Sequence, residues 1–246
     1  MKKVFLGLVI LLVLPLFFLW GCITTSGETL PTESENDNGK TEELVSEEGG
    51  IVTDFDGNVY KTVIIGNQVW MLENLKVTHY NNGDSIPNID KRSEWVNLTT
   101  GAYCDFDNNT ENSEKFGHLY NWYAITDSRG VTPEGWHVPT NEDWETLVNY
   151  LGGNNIAGGK LKEAGTDNWH RPNQGANNES GFTALPTGYR FRDGIFNNLG
   201  VSTNFWSDTE FNEKSAWGRY LGYDLVVMNS SNYSKINGMA VRLIKD

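Results

Sequence analysis

The sequence is poor in cysteine, with only Cys22 and Cys104 among 246 residues. Two such residues, one of them at the end of an apolar leader, exclude a disulfide framework, so the fold is held by its core. Positive charge is also short. Lysine and arginine number 19 against 32 acids, a formal net charge of −13, which argues against nucleic acid as a partner. The four histidines, His79, His118, His137 and His170, lie far apart without paired metal-ligand spacing, and they read as surface or loop residues. Neither a Gly-x-Ser-x-Gly elbow nor a phosphate-cradling glycine loop is present. No repeat of fixed period points to a solenoid or propeller.

One long apolar run is present. Lys2 and Lys3 precede an apolar stretch from Val4 to Trp20, and Leu19-Trp20-Gly21-Cys22 follows the pattern of a lipobox. Residues 1–21 are therefore expected to be a lipoprotein-type signal, with Cys22 lipidated (palmitate) as the membrane attachment. The alternative is an uncleaved signal anchor. Ile23 after the cysteine resembles the sorting signal for the outer membrane, so the expected location is the cell envelope, at the outer membrane or cell surface. Residues 22–50 carry Glu28, Glu33, Glu35, Asp37, Glu42, Glu43, Glu47 and Glu48 against Lys40. With little apolar to bury, they are expected to be an acidic, disordered tether.

From Ile51 the composition changes. Eight of the nine tryptophans and all ten tyrosines fall in residues 51–246, among abundant glycine and asparagine. Such a chain builds its core from large rings carried on short strands and loops. Turn signals at Asp56-Gly57 and Gly66-Asn67 delimit a β unit through Trp70-Met71. The C-terminal stretch offers three or four strands separated at Gly222, Asn229-Ser230-Ser231 and Asn237-Gly238. In GWHVPTNEDWETLVNYLGG, Thr140 is an N-cap with Glu142 and Asp143 in the first turn. Trp144, Leu147, Val148 and Leu151 form one apolar stripe, and Gly152-Gly153 allows the left-handed exit. A second short helix is expected over Gly159–Ala164, with Gly152-Gly153 and Gly158-Gly159 as loop glycines.

The Gly135-Trp136-His137-Val138-Pro139-Thr140 entry resembles that of the formylglycine-generating-enzyme group. A closer resemblance is to the Fibrobacter succinogenes major paralogous domain, a family of secreted bacterial proteins. It is carried by Asp56–Tyr60, Gln68–Leu75, Phe116–Trp122, Gly135–Thr140, Gly181–Arg190, Phe205–Ser207 and Val241–Asp246. That resemblance implies an α+β, C-type-lectin-like domain over residues 51–246. Short antiparallel strands would be joined by long irregular loops, with one or two short helices and the terminal strands near each other. It implies no particular activity.

The formylglycine-generating relatives use a copper-binding cysteine pair, whereas Cys104 is alone and reads as a small buried hydrophobe. Asp105, Asp107, Asn109 and Glu111 alternate like hard oxygen ligands and form the candidate Ca²⁺ set, although Thr110 and Phe116 break an EF-hand loop. Arg171-Pro172-Asn173 and Trp206-Ser207-Asp208 follow the order of sugar-binding lectin motifs, but a guanidinium cannot ligate calcium. Trp169, Tyr189, Phe191, Phe196 and Tyr223 are the loop aromatics expected to contact ligand by stacking.

The expectation is a non-catalytic, lipid-anchored binding module for glycans or another envelope protein, needing no cofactor. A purely structural or adhesive envelope lipoprotein and a formylglycine-generating-like oxidase are the alternatives.

Overall fold

The first hairpin closes on a carboxylate. Buried Asp54 accepts from the Asp56 and Asn58 amides at 3.0 and 2.9 Å and from the Tyr60 hydroxyl at 2.5 Å. Gly57, at φ +84°, supplies the left-handed residue that the turn requires. The computed structural model describes residues 47–246. The signal segment, Cys22 and the tether as far as Ser46 lie outside them.

The chain runs through β1 (Glu47–Thr53), β2 (Val59–Ile65), β3 (Gln68–Met71), α1 (Arg92–Trp95) and β4 (Tyr103–Cys104). Next come α2 (Thr110–Phe116), β5 (Leu119–Tyr120), α3 (Trp122–Ile125) and β6 (Trp136–His137). The longer helices α4 (Asn141–Tyr150) and α5 (Asn154–Leu161) precede β7 (Thr187–Arg190) and β8 (Phe196–Leu199). The chain ends through β9 (Ser202–Asn212), β10 (Ser215–Gly222), β11 (Asn229–Ser234) and β12 (Ile244–Lys245). The fold is α+β with mostly antiparallel strands.

One sheet has the order β1-β2-β3-β12-β6, so the last strand sits beside the first hairpin. The other has the order β11-β10-β9-β7-β8, in which only β7 and β9 run parallel. Residues 239–240 tie the second sheet to the β4–β5 ribbon: Met239 exchanges backbone bonds with Tyr120, and Ala240 with Asn204 and Trp206.

Three elements differ from the sequence expectation. β1 begins at Glu47, four residues inside the segment read as tether, and bulges between Glu48 and Gly50. Asn229-Ser230-Ser231 is not a turn but the start of β11, paired with Arg219 and Tyr220 along one edge of the sheet. Single-turn helices α1 and α3, and the seven-residue α2, add to the one or two helices expected. Each is too short to show a periodic apolar stripe.

Helix α4 forms as its residues dictate. The Thr140 hydroxyl accepts from the Asp143 amide at 3.1 Å, and the Asp143 carboxylate accepts from the Thr140 amide at 2.8 Å. This capping box contributes on the order of 1 kcal/mol. Trp144, Leu147, Val148 and Leu151 are all buried.

Helix α5 is a correction: it covers Asn154–Leu161 instead of Gly159–Ala164, and Gly158-Gly159 are helical rather than loop glycines. A Cβ at Gly158 would sit 2.3 Å from the Val227 carbonyl oxygen, and one at Gly159 would sit 2.4 Å from that of Gly175. The helix tolerates poor helix formers because two backbone segments pass against it.

The core is aromatic. Trp70 packs on Trp144 at 4.7 Å, and Phe182 and Phe205 close the group with centroids at 5.6 to 6.1 Å. Buried cations that bond backbone carbonyls, not carboxylates, pin the loops. The Lys162 ammonium donates to the carbonyls of Gln174, Gly222 and Leu225 at 2.7 to 3.0 Å. Arg190 donates to Gly194, Ile89 and Asp90 between the rings of Trp95 and Phe196.

Candidate functional site

A groove of about 750 Å³ lies between the β7–β8 turn, the β9–β10 turn and the end of β11. Its walls follow from local chemistry. At the β9–β10 turn, the Asn212 side-chain oxygen accepts from the Lys214 amide, the Ser215 amide and the Ser215 hydroxyl at 2.9 to 3.0 Å. This Asx-type knot holds Asn212, Lys214 and Ser215 at one lip. At the opposite lip, Phe191 and Arg192 ride on a turn closed by the bond from the Phe191 amide to the Ile195 carbonyl, with Gly194 at φ +81°. Arg190 pins that turn from beneath through Gly194.

The floor comes from β11 and the residues after it. β11 reads Asn-Ser-Ser-Asn-Tyr-Ser and lies at a sheet edge, so its polar side chains stay in water. Asn232, Tyr233 and Ser234 therefore line the groove with Ile236 and Asn237. The Tyr233 ring stands edge-on to Trp206 at 6.4 Å, and burial pushes its phenol up to about 12, so it remains a neutral hydrogen-bonding group. Asn237 is 2 % exposed and its side-chain oxygen has no partner among the described residues. Tyr123 closes one end from α3, whose cap is Asn121 accepting from the Ala124 amide. The lining thus combines rings from Tyr123, Phe191 and Tyr233, amides from Asn212, Asn232 and Asn237, and two cations, Arg192 and Lys214. No carboxylate lines it.

The loop aromatics expected to contact ligand do not converge. Phe191 lines the groove and is 36 % exposed. Trp169 is a correction: it is 1 % exposed, its indole donates to the Ala184 carbonyl at 3.0 Å, and Lys162 lies 5.4 Å from its ring. Half-buried Tyr189 leans edge-on against Phe191 at 6.5 Å. Phe196 packs on Phe106 at 5.2 Å and on the Arg190 guanidinium. Tyr223 stands against His170 at 6.3 Å, outside the groove lining. Tyr123, Tyr233, Asn212, Asn232 and Asn237 were missed. The signal for two of them, Asn232 and Tyr233, was the polar run from Asn229 to Ser234, which sits on an exposed edge strand.

The set Asp105, Asp107, Asn109 and Glu111 is also a correction. Asp105 is buried and accepts from the Ser113 hydroxyl and from His118 at 2.8 Å. These bonds, chiefly that from His118, hold its carboxyl below the usual carboxylate range. Asn109 instead caps α2, accepting from the Glu111 amide at 3.1 Å. Asp107 sits in a 3₁₀ turn over Phe106–Asn108, and no metal-holding group of acids, histidines or cysteines occurs among the described residues.

Ser113 and His118 both bond one carboxylate rather than each other, which is the geometry of a structural hub and not of an activated hydroxyl. Cys104 is fully buried, and burial raises its thiol to about 12, so no thiolate forms at neutral pH.

A family model for the Fibrobacter succinogenes major domain matches residues 63–245, from within β2 to the end of β12. No curated protein and no solved structure matches the chain. The matched span takes in every groove residue and both sheets apart from β1 and the first part of β2, and the chain belongs to the Fibrobacter succinogenes major domain family.

Proposed function

We propose that the protein is a lipid-anchored, surface-exposed and non-catalytic binding module whose groove takes a glycan or another envelope component. The observation that carries this reading is the lining: three aromatic rings beside three asparagine amides in an open trough. Rings stack on the apolar faces of sugar rings, and planar amides bond paired hydroxyls in both donor and acceptor roles. Arg192 and Lys214 add a preference for ligands with negative charge. In this reading a C-type-lectin-like body is attached through Cys22 and an acidic tether that runs as far as Ser46. Two sheets joined by long loops, with the last strand beside the first hairpin, support that fold.

A glycan array probed with the detergent-solubilised full chain tests the reading. Hits are expected, and Tyr123→Ala or Phe191→Ala should weaken them by about five- to thirtyfold, as loss of a stacking face on the order of 1 to 2 kcal/mol requires. An array without hits, or hits indifferent to both variants, overturns it. For the anchor, Cys22→Ser should abolish labelling by a fatty-acid probe.

A further inference from the structure

A second concavity, of about 280 Å³, lies where Lys61 on β2, the segment after β3, Lys115 on α2 and Arg242 meet. Four cations line it, Lys61, Lys76, Lys115 and Arg242, against the single carboxylate of Glu73. In a chain of net charge −13 this concentration of positive charge stands out.

Arg242 is the decisive residue. It is 1 % exposed, stacked on Phe182 at 4.5 Å and Phe205 at 5.6 Å. Its Nε donates to the Asn74 side-chain oxygen at 2.9 Å, and its Nη1 to the carbonyls of Met71 and Phe182 at 3.1 and 2.8 Å. Its Nη2 makes no hydrogen bond among the described residues, and no carboxylate lies within ion-pair distance.

Arg190, equally buried, uses all three of its nitrogens on backbone carbonyls. A buried guanidinium without an ion-pair partner is costly; burial lowers the Arg242 pKa to about 9, and the Glu73 charge offsets that only in part.

The rim is also short of partners. Lys76 is held by the Glu114 carbonyl at 2.6 Å, and Glu73 by the Lys61 amide at 2.9 Å. Among the described residues the lysines in ion pairs are Lys91, Lys160 and Lys235, which leaves the Lys61 and Lys115 ammonium groups free to meet an anion. Leu72 and Leu185 supply apolar wall.

We propose that this pocket binds a small organic carboxylate, its acid group meeting Arg242 and the rim lysines and its carbon skeleton lying on Leu72 and Leu185. The volume suits one monosaccharide-sized unit, and arginine's fork matches carboxylate geometry. The site is separate from the aromatic groove and shares no lining residue with it.

Thermal melts and methyl NMR of the detergent-solubilised full chain test the proposal, titrating D-galacturonate at ionic strength held constant with sodium chloride. Galacturonate should raise the melting temperature saturably and shift the Leu72 and Leu185 methyl resonances, and galactose should do neither. Lys61→Ala with Lys115→Ala should weaken the effect at least about tenfold, the scale of a lost charge-assisted hydrogen bond. Tyr123→Ala in the aromatic groove should leave it intact.

Arg242→Gln should abolish binding if it folds; the lysine variants decide the matter if it does not. The proposal is overturned if saturation is absent or galactose acts equally. It also fails if inorganic phosphate matches galacturonate, or if binding survives the lysine variants and is lost in Tyr123→Ala.

Discussion

Lys162 shows how one side chain substitutes for a covalent staple. Its ammonium joins three loop carbonyls, of which only that of Gly222 also accepts a backbone amide, from Leu225 at 3.3 Å, and an orphaned buried group costs about 1 to 3 kcal/mol. Lys162→Met keeps the apolar stem and removes the donors, so a loss of about 2 kcal/mol or more at pH 7 is expected in chemical denaturation. The same residue sets a pH signature. Burial lowers its folded pKa to about 8 from 10.5, so between those values the folded protein holds fewer protons than the unfolded chain. This group's contribution therefore makes stability rise with pH through that window, by on the order of 3 kcal/mol in total. Melts at pH 7 and pH 9.5 should show that rise in the wild type, and Lys162→Met should lack it.

At the scale of elements, legibility followed locality. The capping box, the apolar stripe and the paired glycines of α4 lie within fourteen residues and concern only neighbours, so they were readable directly. Thr140→Ala should cost about 1 kcal/mol in urea unfolding, because it orphans the Asp143 amide.

Helix α5 was not readable, because Gly158 and Gly159 are there for distant carbonyls. Gly158→Ala, a change that favours an isolated helix, should destabilise this protein by about 1 to 3 kcal/mol. The Cβ would press on the backbone carbonyls of Val227 and Val226; a variant as stable as wild type would show that the 225–228 segment yields freely. Edge strand β11 was misread for a related reason. Its asparagines and serines have turn propensity, but pairing along β10 overrides it.

Across the whole molecule, His137 joins parts far apart in sequence. Its Nδ1 meets Asp246 at 2.6 Å and its Nε2 meets Asp143 at 3.2 Å, linking β6, the start of α4 and the residue after β12. Burial opposes the imidazolium charge, but the bonds to Asp246 and Asp143 outweigh it and raise the His137 pKa. Burial likewise opposes ionisation of Asp143, and the bonds from Thr140 and His137 outweigh it, leaving its pKa lowered.

A raised histidine stabilises below its unfolded pKa, and that contribution disappears as pH rises through the folded value. A lowered carboxylate stabilises above its unfolded pKa, and that contribution disappears as pH falls through the folded value. The triad is therefore strongest in mildly acidic solution. With His137 more than a third exposed, solvent screening limits it to about 0.5 to 1 kcal/mol. His137→Gln should flatten the melting temperature between pH 5.5 and 8; an unchanged slope would locate the dependence elsewhere.

The amino-acid sequence by itself determined what neighbours and composition decide: the turn at Asp56-Gly57, the capped α4, a ring-built core without disulfides, and the family. The tertiary structure alone decided which rings remain accessible. Trp169 and Phe191 are equally aromatic and equally loop-borne. One is sealed by a lysine and a carbonyl from elsewhere in the chain, and the other is left at a groove made by two separate turns and an edge strand. Exposure depends on what arrives from a distance, and no local pattern of residues encodes it.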